Sequence, residues 1–138
     1  MTAEAKNLLG AWHLVGWSLV YADGRPPEYP LGADASGILM YTSDGHVSAL
    51  LMRKPRPAKA PANPAEAAAA YAGSFAYSGR YTVRDGTAFH AIEVSTNPAP
   101  AGIASTRHID MADGRLTLSG PDFAAGSPRT QQIEWWRA

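Results

Sequence analysis

The sequence has no cysteine, no excess of either charge and no long apolar run. Without cysteine, disulfides, thiolate metal sites and cysteine nucleophiles are excluded. Lysine and arginine total 12 and aspartate and glutamate total 12, and this balance argues against the electrostatic attraction on which non-specific nucleic-acid binding depends. A membrane-spanning helix needs an apolar run of about 18 residues. We therefore expect neither nucleic acid nor a membrane as a partner.

The common sequence motifs of enzymes are also missing. There is no Gly-x-Ser-x-Gly, Gly-x-Gly-x-x-Gly, phosphate-binding loop or His-Glu-x-x-His, so hydrolase-elbow, dinucleotide, nucleotide and zinc-protease functions have no motif support. The 4 histidines are scattered along the chain rather than clustered. We expect no metal and no cofactor.

The composition that remains is that of a folded globular protein. Hydrophobic residues make up 46% of the 138 residues and charged residues 17%. This is too apolar for a disordered chain, and the length is typical of one domain, which we predict over residues 1–138. The first ten residues lack the basic head and apolar stretch of a signal peptide, so we expect a cytoplasmic location.

Alternating apolar and polar residues, bounded by Gly, Asp and Pro, predict eight β-strands. Three connections, 43–45, 85–86 and 112–114, are tight and place glycine where a left-handed backbone angle is needed. They predict hairpins, and therefore an antiparallel sheet. The strands are expected at about 12–21, 37–42, 46–52, 77–84, 87–95, 104–111, 115–119 and 129–137.

One short helix is predicted between the third and fourth strands. Asn63 suits the N-cap, Pro64 the first helical position and Glu66 the capping box, and an alanine-rich run continues the helix. Residues 2–9 are a second, shorter candidate. The basic, proline-containing segment 53–61 is expected to be an extended loop, either simply solvated or lying over the mouth of a pocket.

Eight antiparallel strands leave two unpaired edges unless the sheet closes on itself. We therefore predict an all-β, eight-stranded antiparallel barrel, with a β-sandwich as the alternative. The interior of such a barrel is either filled by side chains or just wide enough for one small ligand. The fold class alone thus suggests small-molecule binding.

Residues at both ends of the predicted barrel resemble the lipocalin signature. Residues 10–12, Gly-Ala-Trp, are similar to the Gly-x-Trp that opens the lipocalin barrel, and Arg137 is similar to its terminal arginine. Independently of the resemblance, the first and last strands of a closed barrel pair, so Arg137 can lie across the Trp12 ring and gain a cation–π contact.

The resemblance extends over nearly the whole chain to the bacterial and fungal lipocalin-like domain family. It departs from that family at Leu50, where glutamine is more common. The resemblance implies a small calycin-like barrel with a hydrophobic cavity, found alone or near secondary-metabolite pathways, in which some similar barrels assist ring closure or isomerisation. The segments that carry it are 29–32, 37–45, Ser48, 51–53, 77–81, 90–98, Arg107 and 116–118.

The fourth and fifth strands supply most of the candidate interior residues. Alternation in the fourth strand places Tyr77 and Tyr81 together on the inner face. Their side chains either only pack there or turn their hydroxyls to a ligand. In the fifth strand His90, Ile92 and Val94 share a face, which we interpret as the inner one.

Arg107 shares a face of the sixth strand with Ile109, and we expect both to point inward. A buried arginine is costly unless it is paired. It is therefore either part of a structural ion pair or an anchor for a ligand carboxylate, enolate or carbonyl.

The first three strands are less informative, because both faces of the second and third are apolar. Our inward set there, taken partly from the resemblance, is Met40, Ser48, Leu50 and Met52. Trp17 lies on either the cavity wall or the outer surface.

The sequence therefore predicts a barrel that encloses a small hydrophobic, partly oxygenated molecule, such as a polyketide-like compound. Cofactor-free cyclisation or isomerisation is a possibility within that prediction. His90 would then move a proton, Tyr81 or Tyr77 would donate to a carbonyl, and Arg107 would hold a developing enolate. A carrier without catalysis and a filled barrel acting as an interaction module are the alternatives. The oligomeric state does not follow from the sequence.

Overall fold

A computed structural model of the chain describes residues 1–54, 59–98, 104–121 and 129–138. It contains two helices and eight strands. The helices are α1 (Ala3–Leu8) and α2 (Pro64–Ala72), and the strands are β1 (Gly10–Tyr21), β2 (Ser36–Tyr41), β3 (His46–Met52), β4 (Ser74–Arg84), β5 (Thr87–Ser95), β6 (Ala104–Ala112), β7 (Arg115–Pro121) and β8 (Arg129–Arg137).

The eight strands form a closed antiparallel barrel in sequence order, as predicted. β1 pairs with β2 on one side and with β8 on the other, and this pairing closes the sheet. The predicted tight hairpins are present, and Gly45, Gly86 and Gly114 have φ angles of 91°, 72° and 77°. Glycine adopts this left-handed backbone at no steric cost, because it has no Cβ.

The start of α2 has the predicted capping residues. The Asn63 side chain accepts a hydrogen bond from the Glu66 backbone N–H at 2.9 Å, and Pro64 occupies the first turn. The Glu66 carboxylate accepts from Ala62 N–H at 2.7 Å, one residue earlier than in a strict capping box. β4 begins at Ser74, three residues before the predicted start, because residues 74–76 pair with residues 50–52 of β3.

The hairpins and α1 gather at one end of the barrel, which we call the closed end. α1 buries Leu8 there, and the Trp12 indole N–H donates to the Leu8 carbonyl at 2.9 Å. The longer connections join the strands at the opposite end, which we call the open end. Three of them include residues outside the described part of the chain, among them 55–58 of the predicted basic loop.

Arg137 locks the closed end as the pairing of the first and last strands predicts. Its guanidinium lies 3.9 Å from the centre of the Trp12 ring and donates to the carbonyl oxygens of Asn7, at 2.8 Å, and Leu9. The arginine therefore links α1, β1 and β8.

We expect Arg137→Ala to lower the free energy of unfolding by about 2 kcal/mol, because a cation–π contact and hydrogen bonds to two carbonyls are lost. Arg115→Ala is the matched control. Arg115 lies over the exposed Trp136 ring at 5.5 Å and pairs with Glu134 on the surface. Its loss should cost less than about 1 kcal/mol. Equal losses of unfolding free energy in the two variants, measured by urea denaturation, would contradict a locking role for Arg137.

Apolar side chains from all the strands except β6 form one buried cluster, with Ile109 of β6 packed against it. The largest fully buried side chains that the strands contribute to this cluster lie near the closed end or in the middle of the barrel; they are Trp12, Leu39, Val47, Leu116 and Trp135.

Neither helix of the described residues is long and apolar enough to span a membrane.

Candidate functional site

His90 is completely buried inside the barrel, between two tyrosines. Its Nε2 lies 2.7 Å from the hydroxyl of Tyr41, and its Nδ1 lies 2.9 Å from the hydroxyl of Tyr77. Tyr41 is the last residue of β2, at the closed end, whereas Tyr77 belongs to the half of β4 nearer the open end. The three side chains thus form a polar chain that runs through the barrel from the closed end towards the open one.

The apolar surroundings of this chain keep it uncharged at neutral pH. Burial, together with the nearby positive charge of Arg107, lowers the pKa of His90 to about 3. Burial also raises the pKa of Tyr77 to about 12 and that of Tyr41 well above its usual value. The site therefore consists of a neutral imidazole and two neutral phenols.

Arg107 brings a positive charge into the same interior. The residue is buried, burial lowers the pKa of its guanidinium, and Nη1 donates to the Thr106 carbonyl at 3.0 Å. The side chain passes over Gly120, where an added Cβ would lie 3.0 Å from Nη1 and 2.6 Å from the Thr106 oxygen. Glycine at this position of β7 therefore leaves the space that the guanidinium occupies.

Three buried side-chain atoms have no hydrogen-bond partner among the described residues: Trp17 Nε1, Ser105 Oγ and Trp135 Nε1. Ser105 pairs directly with His90 across β5 and β6. Trp17 belongs to β1, which is opposite β5 in the strand order. Two of these atoms are indole N–H groups that can only donate, and the third is a hydroxyl. The interior therefore offers spare donors to an acceptor.

Most of the predicted interior residues of β4, β5 and β6 do point inward. The side chains of Tyr81, His90, Ile92 and Arg107 are buried, and Tyr77 and Ile109 are half-buried and pack inside the barrel. The structure joins Tyr77, rather than Tyr81, to His90. Tyr81 donates instead to the Thr42 carbonyl at 2.9 Å, beside the hairpin at the closed end. Whether these residues bind a ligand or catalyse a reaction stays a prediction.

The inward set predicted for β2 and β3 is wrong. Residues directly opposite in a ladder share a face, and the pairs Leu39–Ala49 and Tyr41–Val47 are buried. The predicted residues alternate with these and lie on the outer face, where the Ser48 hydroxyl hydrogen-bonds Ser78 at 2.7 Å. Because both faces are apolar, alternation along one strand could not choose between them. The residues concerned are Met40, Ser48, Leu50 and Met52.

Two β-bulges determine which side of the barrel wall the side chains of Val94 and Trp17 face. In β5, Val94 pairs with Ser78 and Ile92 pairs with Gly79, so Glu93 is an extra residue in the ladder. Val94 is therefore 63% exposed, and its predicted inward position is wrong. In β1 the register shifts between Leu14 and Gly16, and beyond this point Trp17 packs against the interior cluster.

Sequence analysis missed two residues of the site. Tyr41 is absent from the predicted interior because the prediction places the opposite face of β2 on the inside. Tyr41 shares the inner face with Val47, Ala49 and Leu51 of β3, but the other face of β3 is apolar too, so alternation alone did not reveal it. Ser105 lies near the start of β6, and no pattern in the sequence indicated that its side chain is part of the site.

Features outside the barrel do not form part of this site. A surface hollow of about 420 Å³ lies against the outer faces of β1, β7 and β8, with Ser18, Thr117 and Glu134 among its lining residues, and none of the predicted site residues lines it. Within the described ranges no three His, Asp or Glu side chains cluster in a way that could hold a metal ion.

Comparisons with known proteins agree with this architecture. A sequence model of the lipocalin-like domain family matches residues 9–138. No curated protein matches the chain. Among solved structures, a lipocalin-like protein from Bacteroides uniformis ATCC 8492 is similar, with 18% sequence identity, a TM-score of 0.53 and coverage of 96% of this chain and 99% of that one. An uncharacterized protein from Bacteroides eggerthii DSM 20697 has 13% identity, a TM-score of 0.49 and coverage of 94% and 99%. At 18% identity, the first similarity supports the fold alone.

Proposed function

Because the chain belongs to the lipocalin-like domain family, we propose that its barrel encloses one small, hydrophobic and partly oxygenated molecule. An eight-stranded barrel is just wide enough for such a ligand. Apolar walls would supply most of the affinity, and a few polar groups would orient the molecule, as is usual in small-molecule sites.

The observation that carries this proposal is the set of buried donors that have no hydrogen-bond partner in the described part of the chain. A buried polar group left without a hydrogen bond costs about 1–3 kcal/mol. Trp17 Nε1 and Ser105 Oγ are such groups, and both lie among the interior side chains. An enclosed molecule with oxygen acceptors would satisfy them, whereas a barrel filled only by apolar side chains would not.

The arrangement supports binding more than catalysis by His90. Both ring nitrogens are engaged by tyrosines, and the pKa of about 3 leaves the imidazole a very weak base. A catalytic base needs a free nitrogen and a pKa nearer the working pH. Cofactor-free cyclisation or isomerisation of a polyketide-like compound, like the cytoplasmic location, therefore stays a prediction.

The proposal is tested with two neighbouring positions of β3 that face opposite sides of the wall. Ala49 is buried and pairs with Tyr77, whereas Leu50 is 44% exposed on the outer face. Ala49→Phe adds a ring inside the barrel, and Leu50→Phe adds a similar ring outside. With 2-acetylnaphthalene as the probe and equilibrium dialysis as the measurement, we expect Ala49→Phe to weaken binding at least tenfold and Leu50→Phe less than twofold.

Thermal unfolding of both variants shows that each is folded at the assay temperature. If Ala49→Phe is not, Ala49→Val repeats the test with a smaller addition. Absence of saturable binding by the wild-type protein would overturn the proposal in favour of a filled barrel acting as an interaction module. An equal loss of affinity in the inner and outer variants would overturn it in favour of binding outside the barrel.

A further inference from the structure

The hydrogen-bond chain through His90 imposes a direction on its protons. A neutral imidazole carries one N–H and one lone pair, so it accepts a hydrogen bond at one nitrogen and donates at the other. Since each nitrogen faces a phenol, one tyrosine must donate to the ring and the other must accept from it. The accepting tyrosine then keeps its own O–H proton for a different partner.

The two tyrosines differ in where that second proton can go. Tyr41 is 2% exposed, and within the described part of the chain its hydroxyl contacts no hydrogen-bonding group except His90. If Tyr41 accepted from His90, its own proton would be buried without a partner. Tyr77 is only half-buried and belongs to the half of β4 nearer the open end. The arrangement of lower energy has Tyr41 donating to Nε2 and Nδ1–H donating to Tyr77.

We propose that Tyr41 and His90 are positioning residues, which hold the Tyr77 hydroxyl as a hydrogen-bond donor for a carbonyl oxygen of the enclosed ligand. This inference rests on the proposed function and narrows its ligand to a class, apolar molecules that carry a ketone or similar carbonyl group. The Ser105 hydroxyl lies next to His90 in the neighbouring strand and has no hydrogen-bond partner among the residues that the structure describes, so it is a second donor to the same oxygen. Tyr41 and His90 do not contact the ligand and act through Tyr77.

The proton arrangement has a direct spectroscopic test that needs no ligand. The ¹⁵N chemical shifts of a histidine side chain distinguish a protonated ring nitrogen from a bare one, and the His90 signals are assigned as those missing from His90→Gln. In the wild-type protein we expect Nδ1 to carry the proton and Nε2 to be bare. In Tyr41→Phe we expect a mixture of the two tautomers. A wild-type His90 protonated at Nε2 would overturn the inference.

The ligand preference is tested with two probes that differ in one carbonyl group, 2-acetylnaphthalene and 2-ethylnaphthalene. We expect the wild-type protein to bind the ketone about tenfold more tightly than the hydrocarbon, and Tyr77→Phe to bind both equally. Tyr41→Phe should retain its affinity for 2-ethylnaphthalene but lose at least threefold of the ketone preference, because Tyr77 then becomes free to donate to His90. Tyr71→Phe, on the exposed face of α2, should behave as the wild type.

The outcomes separate the inference from the proposed function. Equal binding of both probes by the wild-type protein, or a ketone preference that survives Tyr77→Phe, would overturn the inference and leave binding in the barrel intact. Failure of both probes to bind would overturn both. A parallel loss of affinity for both probes in Tyr41→Phe would mean that Tyr41 only supports the structure, which contradicts its positioning role.

Discussion

Gly79→Ala is expected to lower the free energy of unfolding by about 3 kcal/mol or more. At the β5 bulge the backbone of the neighbouring strand comes so close to Gly79 that an added Cβ would lie 1.9 Å from the carbonyl oxygen of Ala91 and 3.0 Å from the backbone nitrogen of Glu93. Neither atom belongs to a flexible side chain. The methyl group can be accommodated only if the β4–β5 ladder separates locally, which breaks its hydrogen bonds.

Gly16→Ala is the matched control, since Gly16 lies at the other bulge and a Cβ there would meet nothing within 4 Å. Because alanine loses less backbone entropy than glycine on folding, this variant should be as stable as the wild type or slightly more so. Urea denaturation with a common fitted slope measures both. Similar midpoints for the two variants would show that the close approach at Gly79 is not a constraint on the fold.

The sequence predicted the barrel well because its signals were local. Glycine at 45, 86 and 114 defined three hairpins, and the Asn63–Pro64 pair defined the start of α2. Closure followed from the cost of exposed strand edges rather than from any single residue. Strand ends were less accurate: β1 and β4 begin earlier than predicted, because pairing with a neighbouring strand extends them beyond the part with clear alternation.

The interior was predictable only where polar and apolar residues alternate clearly. In β4 a serine, two arginines and a threonine alternate with Tyr77, Tyr81 and Val83, and the predicted inner face was right. Where both faces are apolar, as in β2 and β3, the inner one is chosen by register with neighbouring strands, which a single strand does not contain. A bulge adds a residue and reverses the faces beyond it, as at Val94. The assignment of Met40 and Leu50 to the interior, and the omission of Tyr41, follow from the first of these limits.

Lowering the pH from 7 to 5 is expected to reduce the free energy of unfolding by about 2 kcal/mol through His90 alone. Burial and the charge of Arg107 lower the pKa of His90 from 6.5 to about 3 in the folded protein. Between these two pKa values the unfolded chain binds a proton that the folded protein does not. Stability therefore falls as the pH drops below about 6.5 and continues to fall until about 3.

The groups that face His90 add no titration of their own in this range. Burial raises the pKa values of Tyr41 and Tyr77 away from it, and Arg107 remains charged throughout. The exposed carboxyl groups of Asp23 and Asp44 have pKa values lowered by their hydrogen-bonding partners, which moves their titration further away from this range. A window from pH 7 to pH 5 therefore avoids all of these groups.

His90→Gln is the variant that isolates this effect, because a glutamine amide both donates and accepts hydrogen bonds but does not titrate. We expect it to be less stable than the wild type at pH 7, because the amide cannot match the imidazole geometry between the two tyrosines, and to lose about 2 kcal/mol less than the wild type on going to pH 5. His13→Gln, on the exposed outer face of β1, is the matched control for replacing a histidine by glutamine. Urea denaturation at both pH values measures all three proteins. If His90→Gln kept the full wild-type difference, the buried imidazole would not be the group that binds the proton on unfolding, and the neutral chain from Tyr41 to Tyr77 would lose its thermodynamic support.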